Sequence, residues 1–282
     1  MEYLYTALKR EIGVAELEPS PITLPDEQRS GSVAAAERID IVAPSLTGLG
    51  KAVPFPEKMD RLYAMRNDGM DREHVQAREQ YRVLRSRVLE IMRMQKMRTL
   101  LVTSAVSGEC KTTTSINLAL ALSQVQGIKV LLVDTDLRKA GIADVLGIPY
   151  QIGLQDYLRS PVPLTDMVLQ LTSSLSFVPS GGIDQNSAEL LHSSEMVEFV
   201  NQVRSYFDIV VFDSPPLFPI ADARVIANLI EAVLFCVRAG ATSETVVSEA
   251  AALIRPKLIG TVLAGAKIRP GWYYYSGTYG RE

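Results

Sequence analysis

The chain has 282 residues, 47% hydrophobic and 22% charged, with a formal net charge of −3, enough for one large α/β domain plus an extension and without the basic excess of a nucleic-acid binder. No apolar run approaches the roughly 20 residues of a membrane helix and no signal peptide opens the chain, so a soluble protein is expected. Two distant cysteines, Cys110 and Cys236, exclude a disulfide framework and fit the cytoplasm, and with two histidines they argue against a His/Cys zinc site.

In chain order, residues 1–12 (MEYLYTALKREI) predict a short amphipathic segment with Leu4, Ala7, Leu8 and Ile12 on one side. Residues 13–70 carry scattered prolines (Pro19, Pro21, Pro25, Pro44, Pro54, Pro56) and no sustained period, which predicts a disordered linker acting as a tether. A helix is expected from about Arg72 to Met94, burying Ala77, Tyr81, Leu84, Val88 and Ile91 at spacings of three and four. From there strands (99–104, 129–134, 175–179, 208–213, 232–238, 259–264) alternate with helices (112–126, 188–206, 221–230, 242–255). Runs such as Val130-Leu131-Leu132-Val133 and Ile209-Val210-Val211-Phe212 are apolar on both faces, as buried parallel strands must be. The expected fold is therefore an α/β domain over 71–269, a doubly wound, mostly parallel sheet flanked by helices, followed by a flexible tail over 270–282.

Residues 103–115 (TSAVSGECKTTTS) join the first strand to its helix, where a phosphate-binding loop belongs. The pattern G-x-x-x-x-G-K-[ST] finds Lys111 and Thr112, while Ala105 and Cys110 stand at its two glycine positions. Most of such a site is backbone N–H, Lys111 adds a point charge for the β and γ phosphates, Thr112 offers a Mg²⁺ ligand and Gly108 supplies a flexible joint. If the place of Cys110 needs a left-handed backbone, its Cβ costs about 1–2 kcal/mol, a roughly tenfold weaker nucleotide affinity. Asp134 and Asp213 end apolar strands and Asp136 follows two residues after Asp134, so all three reach the sheet edge that holds ligands on this architecture. With Lys111 and Thr112 they suit Mg²⁺ and a triphosphate. Asp136 and Thr112 would lie nearest the metal, Asp213 would act through water and Asp134 would accept a proton; exchanging Asp134 and Asp136 fits the spacing equally.

These segments resemble a known family. Thr103-Ser104 through Lys111-Thr112, Val130 to Lys139 (VLLVDTDLRK) and Asp208 to Pro216 (DIVVFDSPP) are similar, in order and spacing, to the Walker A, Walker A′ and Walker B segments of bacterial tyrosine kinases of the polysaccharide co-polymerase type, deviant-Walker members of the P-loop NTPases. Glu79, Arg82 and Arg85 fit that family's E-x-x-R-x-x-R oligomerisation motif, and Pro179-Ser-Gly-Gly with Asn186-Ser-Ala-Glu-Leu-Leu191 resembles another of its segments. Tyr273, Tyr274, Tyr275 and Tyr279 look like its phosphoacceptor cluster, and the first ten residues resemble the start of forms with a cytoplasmic extension. The resemblance implies ATP and Mg²⁺ as cofactors and Lys111, Asp134 and Asp136 as catalytic residues. It implies nucleotide contacts at Ser107, Gly108, Glu109, Cys110, Lys111, Thr112, Thr113 and Arg138, and metal contacts at Thr112, Asp136 and Asp213. A ring-like homo-oligomer is implied, in which Arg82 and Arg85 reach the adjoining subunit and one subunit phosphorylates the tail of its neighbour. Implied partners are a membrane co-polymerase or chain-length regulator of capsule or exopolysaccharide export and a protein-tyrosine phosphatase, with recruitment to the inner face of the cell membrane. The chain departs from the family at Ser107, Ser187 and Ala140 (each for proline), at Cys110 (for glycine) and at Ala264 (for asparagine). Cys110 touches the chemistry most directly and predicts weakened activity; the alternative is a nucleotide-sensing pseudokinase scaffold on an export complex. A positioning ATPase of the deviant-Walker group is disfavoured, because Val106 stands where that group carries its extra lysine.

Overall fold

The computed structural model describes Lys51–Ala52 and residues 72–149, 151–160, 162–183, 186–219 and 221–266. The segment 1–12, most of the stretch 13–70 and the tail with Tyr273, Tyr274, Tyr275 and Tyr279 lie outside the described residues. In chain order the elements are β1 (Lys51–Ala52), α1 (Arg72–Met94), β2 (Thr99–Ser104), α2 (Lys111–Ser123), β3 (Val130–Asp134), α3 (Gly141–Leu146), α4 (Leu154–Arg159), α5 (Leu164–Met167) and β4 (Leu169–Gln170). There follow β5 (Leu175–Val178), α6 (Ser187–Leu191), α7 (Ser194–Tyr206), β6 (Ile209–Asp213), α8 (Asp222–Leu229), β7 (Ala232–Arg238), α9 (Glu244–Ile254) and β8 (Leu258–Ala264).

The described strands form one sheet of eight in the order β1-β4-β5-β3-β6-β2-β7-β8, parallel throughout except at β4 and β5. Alternate side chains of a strand face opposite ways, so Leu100, Val102, Leu132, Val211 and Leu234 enter a core with Val88 and Met92 of α1 and Ile116 and Leu120 of α2. Leu101, Val133, Phe212 and Phe235 enter the other, with Phe199 of α7, Ile226 of α8 and Val247 of α9. Both faces are covered, and the central strands β2, β3 and β6 are buried along their length as expected.

The six expected strands form within a residue of their expected ends. The expected helix over 188–206 is two helices, α6 and α7, because Ser193 leaves the helix and its hydroxyl accepts the N–H of Met196 at 3.4 Å as an N-cap. Lys51–Ala52, inside the stretch expected to be linker, pairs with β4 as an edge strand. Burial along α1 is uneven: Val88, Leu89 and Met92 are core, while Ala77, Tyr81, Leu84 and Ile91 are half-buried. What positions the site is the centre of the sheet. There Asp134 pairs in register with Asp213, and Asp213 with Val102, so β3, β6 and β2 deliver two carboxylates and the loop after Ser104 to one edge.

Candidate active site

Between β2 and α2 the chain enters the left-handed region at Gly108 (φ 86°) and again at Cys110 (φ 63°, ψ 25°), the N-cap of α2. Glycine takes that conformation freely, whereas the Cβ of Cys110 makes it cost about 1–2 kcal/mol. Glu109 braces the turn and is 1% exposed. One carboxylate oxygen accepts the N–H of Val106 at 3.1 Å; the other accepts the Thr242 hydroxyl at 2.7 Å and the N–H of Arg238 at 3.4 Å. Its side chain is thus committed to the loop, and only its backbone remains for a ligand. Among the described residues, no protein acceptor takes a backbone N–H from Ser107 to Thr113. Seven consecutive donors at a helix N-terminus make a cradle for phosphate oxygens, beside the nearly buried Lys111.

The left-handed Cys110 backbone is part of the fold of the loop itself, so its cost is expected to fall chiefly on folding. Cys110→Gly therefore raises the thermal midpoint by about 2 °C, the relief of strain less the extra chain entropy of glycine, and changes nucleotide affinity less than about threefold. Differential scanning fluorimetry and a nucleotide titration check both; a tenfold gain in affinity in the variant would refute this assignment of the strain. Ala140, the N-cap of α3, is likewise left-handed (φ 48°) and lies on the loop that carries Asp136.

The three acidic residues converge. Asp213 accepts the Thr112 hydroxyl at 2.7 Å on one oxygen and the Ser115 hydroxyl at 2.7 Å on the other. Burial pushes its carboxyl up to about 6, against the two hydroxyl hydrogen bonds and the nearby Lys111, which pull it down. Asp134 is fully buried and accepts backbone N–H groups from Asp136 (3.1 Å) and Ile142 (3.0 Å). Burial first, then the negative charge of Asp213, holds its carboxyl well above the usual aspartate range. Asp136 sits nearer the surface at 9% exposed and accepts the N–H of Arg138 at 3.3 Å; burial raises its carboxyl and the neighbouring Lys111 opposes the rise. Among the described residues, no three carboxylate, imidazole or thiol groups form a ready-made metal cage. The Thr112 hydroxyl and the carboxylates of Asp136 and Asp213 are hard oxygen donors of the kind Mg²⁺ takes, one or two carboxylates and a hydroxyl completed by waters and phosphate oxygens.

Three features escaped the sequence reading. Ser115 carried a usable signal, since it lies one helical turn beyond Lys111 and three residues beyond Thr112. Asp222 and the hydroxyl of Ser187 carried none, because the folding of the loops after β5 and β6 brings them to Arg138. Of the residues expected to serve oligomerisation, Glu79 and Arg82 form an exposed ion pair at 2.7 Å within the chain. Arg85 donates to the carbonyl of Ala121 in α2 of its own chain at 3.2 Å. Cys236 is buried in β7 and its thiol is pushed up to about 12 by that burial, so Cys110 is the exposed one of the two thiols. Among the described residues, no helix is long and apolar enough to cross a membrane.

The family described as an AAA domain matches residues 97–229. Over 205 residues the chain is 34% identical to the tyrosine-protein kinase YwqD of Bacillus subtilis (strain 168), covering 71% of this chain and 86% of that one. The kinase domain of VpsO superposes with a TM-score of 0.60 at 30% identity, covering 68% of this chain and 98% of that one. The kinase domain of the Escherichia coli tyrosine kinase ETK, at 23% identity and a TM-score of 0.63, covers 78% of this chain and 92% of that one and shares the fold.

Proposed function

The chain belongs to the bacterial tyrosine-protein kinase family, and from that premise we propose that it is an ATP- and Mg²⁺-dependent autokinase that phosphorylates its own tyrosine-rich tail. The observation that carries the reading is the Thr112–Asp213–Ser115 triad beside the open N–H cradle, with Asp134 paired to Asp213 across the sheet edge. The N–H groups of Ser107 to Thr113 and the Lys111 ammonium bind the β and γ phosphates, and Arg138 contributes to the same site. Thr112 and Asp136 would hold Mg²⁺ with Asp213 behind them; the ion supplies charge neutralisation on the phosphates. Asp134, oriented by two backbone N–H groups and with a raised proton affinity, is suited to accept the proton of an incoming phenol. As the phenolic oxygen forms its bond to the γ phosphorus, the bond from that phosphorus to the bridging oxygen breaks and ADP leaves.

The acceptors are Tyr273, Tyr274, Tyr275 and Tyr279 of a neighbouring subunit in a ring-like homo-oligomer, with α1 contributing Glu79 and Arg82 to the contact. The protein works in the cytoplasm at the inner face of the membrane, with a membrane regulator of capsule or exopolysaccharide chain length as partner and a protein-tyrosine phosphatase resetting the tail. Incubating the purified full chain with γ-labelled ATP and Mg²⁺, with and without the cytoplasmic segment of the membrane partner, tests the reading. Label is expected on the 273–279 segment, lost in Lys111→Met and in the four-tyrosine-to-phenylalanine variant. A folded wild type that binds nucleotide and transfers nothing under either condition overturns the kinase reading.

A further inference from the structure

Asp222, the first residue of α8, is 1% exposed, and it meets the site through Arg138. Its Oδ2 accepts Arg138 Nε at 2.9 Å and the Ser187 hydroxyl at 2.7 Å, while its Oδ1 is buried with no hydrogen-bond partner among the described residues. Arg138 is held at its other end too, since its backbone N–H donates to Asp136. Its side chain is 34% exposed, and among the described residues neither Nη group has a protein acceptor. A buried carboxylate is costly unless well paired. Here the pairing grips the guanidinium by Nε alone and leaves the forked pair of Nη groups open, the arrangement in which arginine takes phosphoryl oxygens. Ser187, itself fully buried, stands where the resembled family has a proline, which has no hydroxyl to donate.

We propose that Ser187 and Asp222 are positioning residues that aim Arg138 at the terminal phosphoryl group of the bound nucleotide. The inference rests on the nucleotide site proposed above. If it holds, the pair sets the preference of the site for triphosphate over diphosphate, since the β phosphate is already served by the loop cradle.

The test is a double-mutant cycle on the full chain, read by titration with a non-hydrolysable ATP analogue and with ADP, by the separate kcat and KM of tail labelling, and by thermal unfolding. Asp222→Asn is expected to weaken the ATP analogue about tenfold and leave ADP within about twofold, and to leave both within about twofold when Arg138 is already alanine. Ser187→Ala costs about threefold for the analogue only, since it removes the hydroxyl and leaves the start of α6 intact. Arg138→Lys does not restore the preference, because a point charge cannot be gripped at Nε and bind by a fork. Equal losses with and without Arg138, equal losses for ADP and ATP analogue, or wild-type constants in folded Ser187→Ala overturn the inference while the kinase reading stands. Should Asp222→Asn not fold, the Ser187 and Arg138 cycle decides. A folded wild type that binds neither nucleotide fails the proposed nucleotide site, and this inference falls with it.

Discussion

Asp134→Asn is expected to lower phosphoryl transfer about 10²–10⁴-fold, the range for loss of a positioned general base, while Mg²⁺·nucleotide affinity stays within about threefold of the wild type. The carboxylate that ends β3 and the one two residues beyond it are not equivalent. Asp134 is fully buried, and both of its oxygens accept backbone N–H groups, so its orientation is set by the start of α3 and the turn at Asp136. Asp136 lies at the rim next to Lys111 and Arg138, where charge from a bound metal and phosphates is expected. Burial and the charge of Asp213 raise the proton affinity of Asp134, which favours a base and disfavours a direct metal ligand. The pH profile carries the same signature. Transfer rises as Asp134 ionises, on a limb displaced above the ordinary aspartate range, and that limb is missing in Asp134→Asn. Asparagine presents an amide N–H to one of the two backbone donors, so thermal unfolding is measured beside the kinetics. Asp136→Asn is the counterpart, with affinity for Mg²⁺·nucleotide and transfer both falling at least tenfold. If the asparagine at 134 abolishes binding and the one at 136 spares it, the roles are exchanged.

The central strands were legible because their burial is two-sided and their apolar runs are uninterrupted; Val130–Val133 and Ile209–Phe212 admit no other packing. The placement of Asp134 and Asp213 followed from that, since a carboxylate directly after such a run must emerge at the edge. The short helices α3, α4 and α5 and the two-residue β1 and β4 were invisible, being too short for a hydrophobic period to repeat. The sign of the Cys110 effect was legible only in outline. Sequence pattern showed a Cβ where glycine is usual, but only the backbone angle places the cost in folding. Glu109 shows the opposite limit. Its position in the loop pointed to a ligand contact, whereas the side chain turns inward to Thr242 and Arg238, partners more than a hundred residues away. The Ser187–Asp222–Arg138 connection is of the same kind, assembled from three loops by the sheet order.

The stability of the nucleotide-free protein opposes its function at Asp213, and Asp213→Asn separates the two. The carboxyl rises from an ordinary 3.8 to about 6 on folding, chiefly through burial. The folded state therefore binds the proton more tightly than the unfolded chain does, and the associated stability is fully present below about pH 4 and lost as pH rises through about 6. At pH 7.5 the wild type carries that loss, on the order of 3 kcal/mol for a shift of this size. Asparagine cannot ionise, and the hydroxyls of Thr112 and Ser115 can rotate to suit it, so the variant is expected to unfold at a higher temperature than the wild type at pH 7.5, by a margin that shrinks to about a third at pH 4.5 and vanishes below about pH 3.5. Removing the charge of Asp213 also eases the ionisation of Asp134, which adds in the same direction. The functional cost is expected to be large: tail labelling falls at least about 100-fold, and Mg²⁺·ADP no longer raises the unfolding temperature as it does in the wild type. A variant less stable than the wild type at pH 7.5, or one that keeps the Mg²⁺-dependent rise, would show that Asp213 belongs to the scaffold and that the metal is held elsewhere.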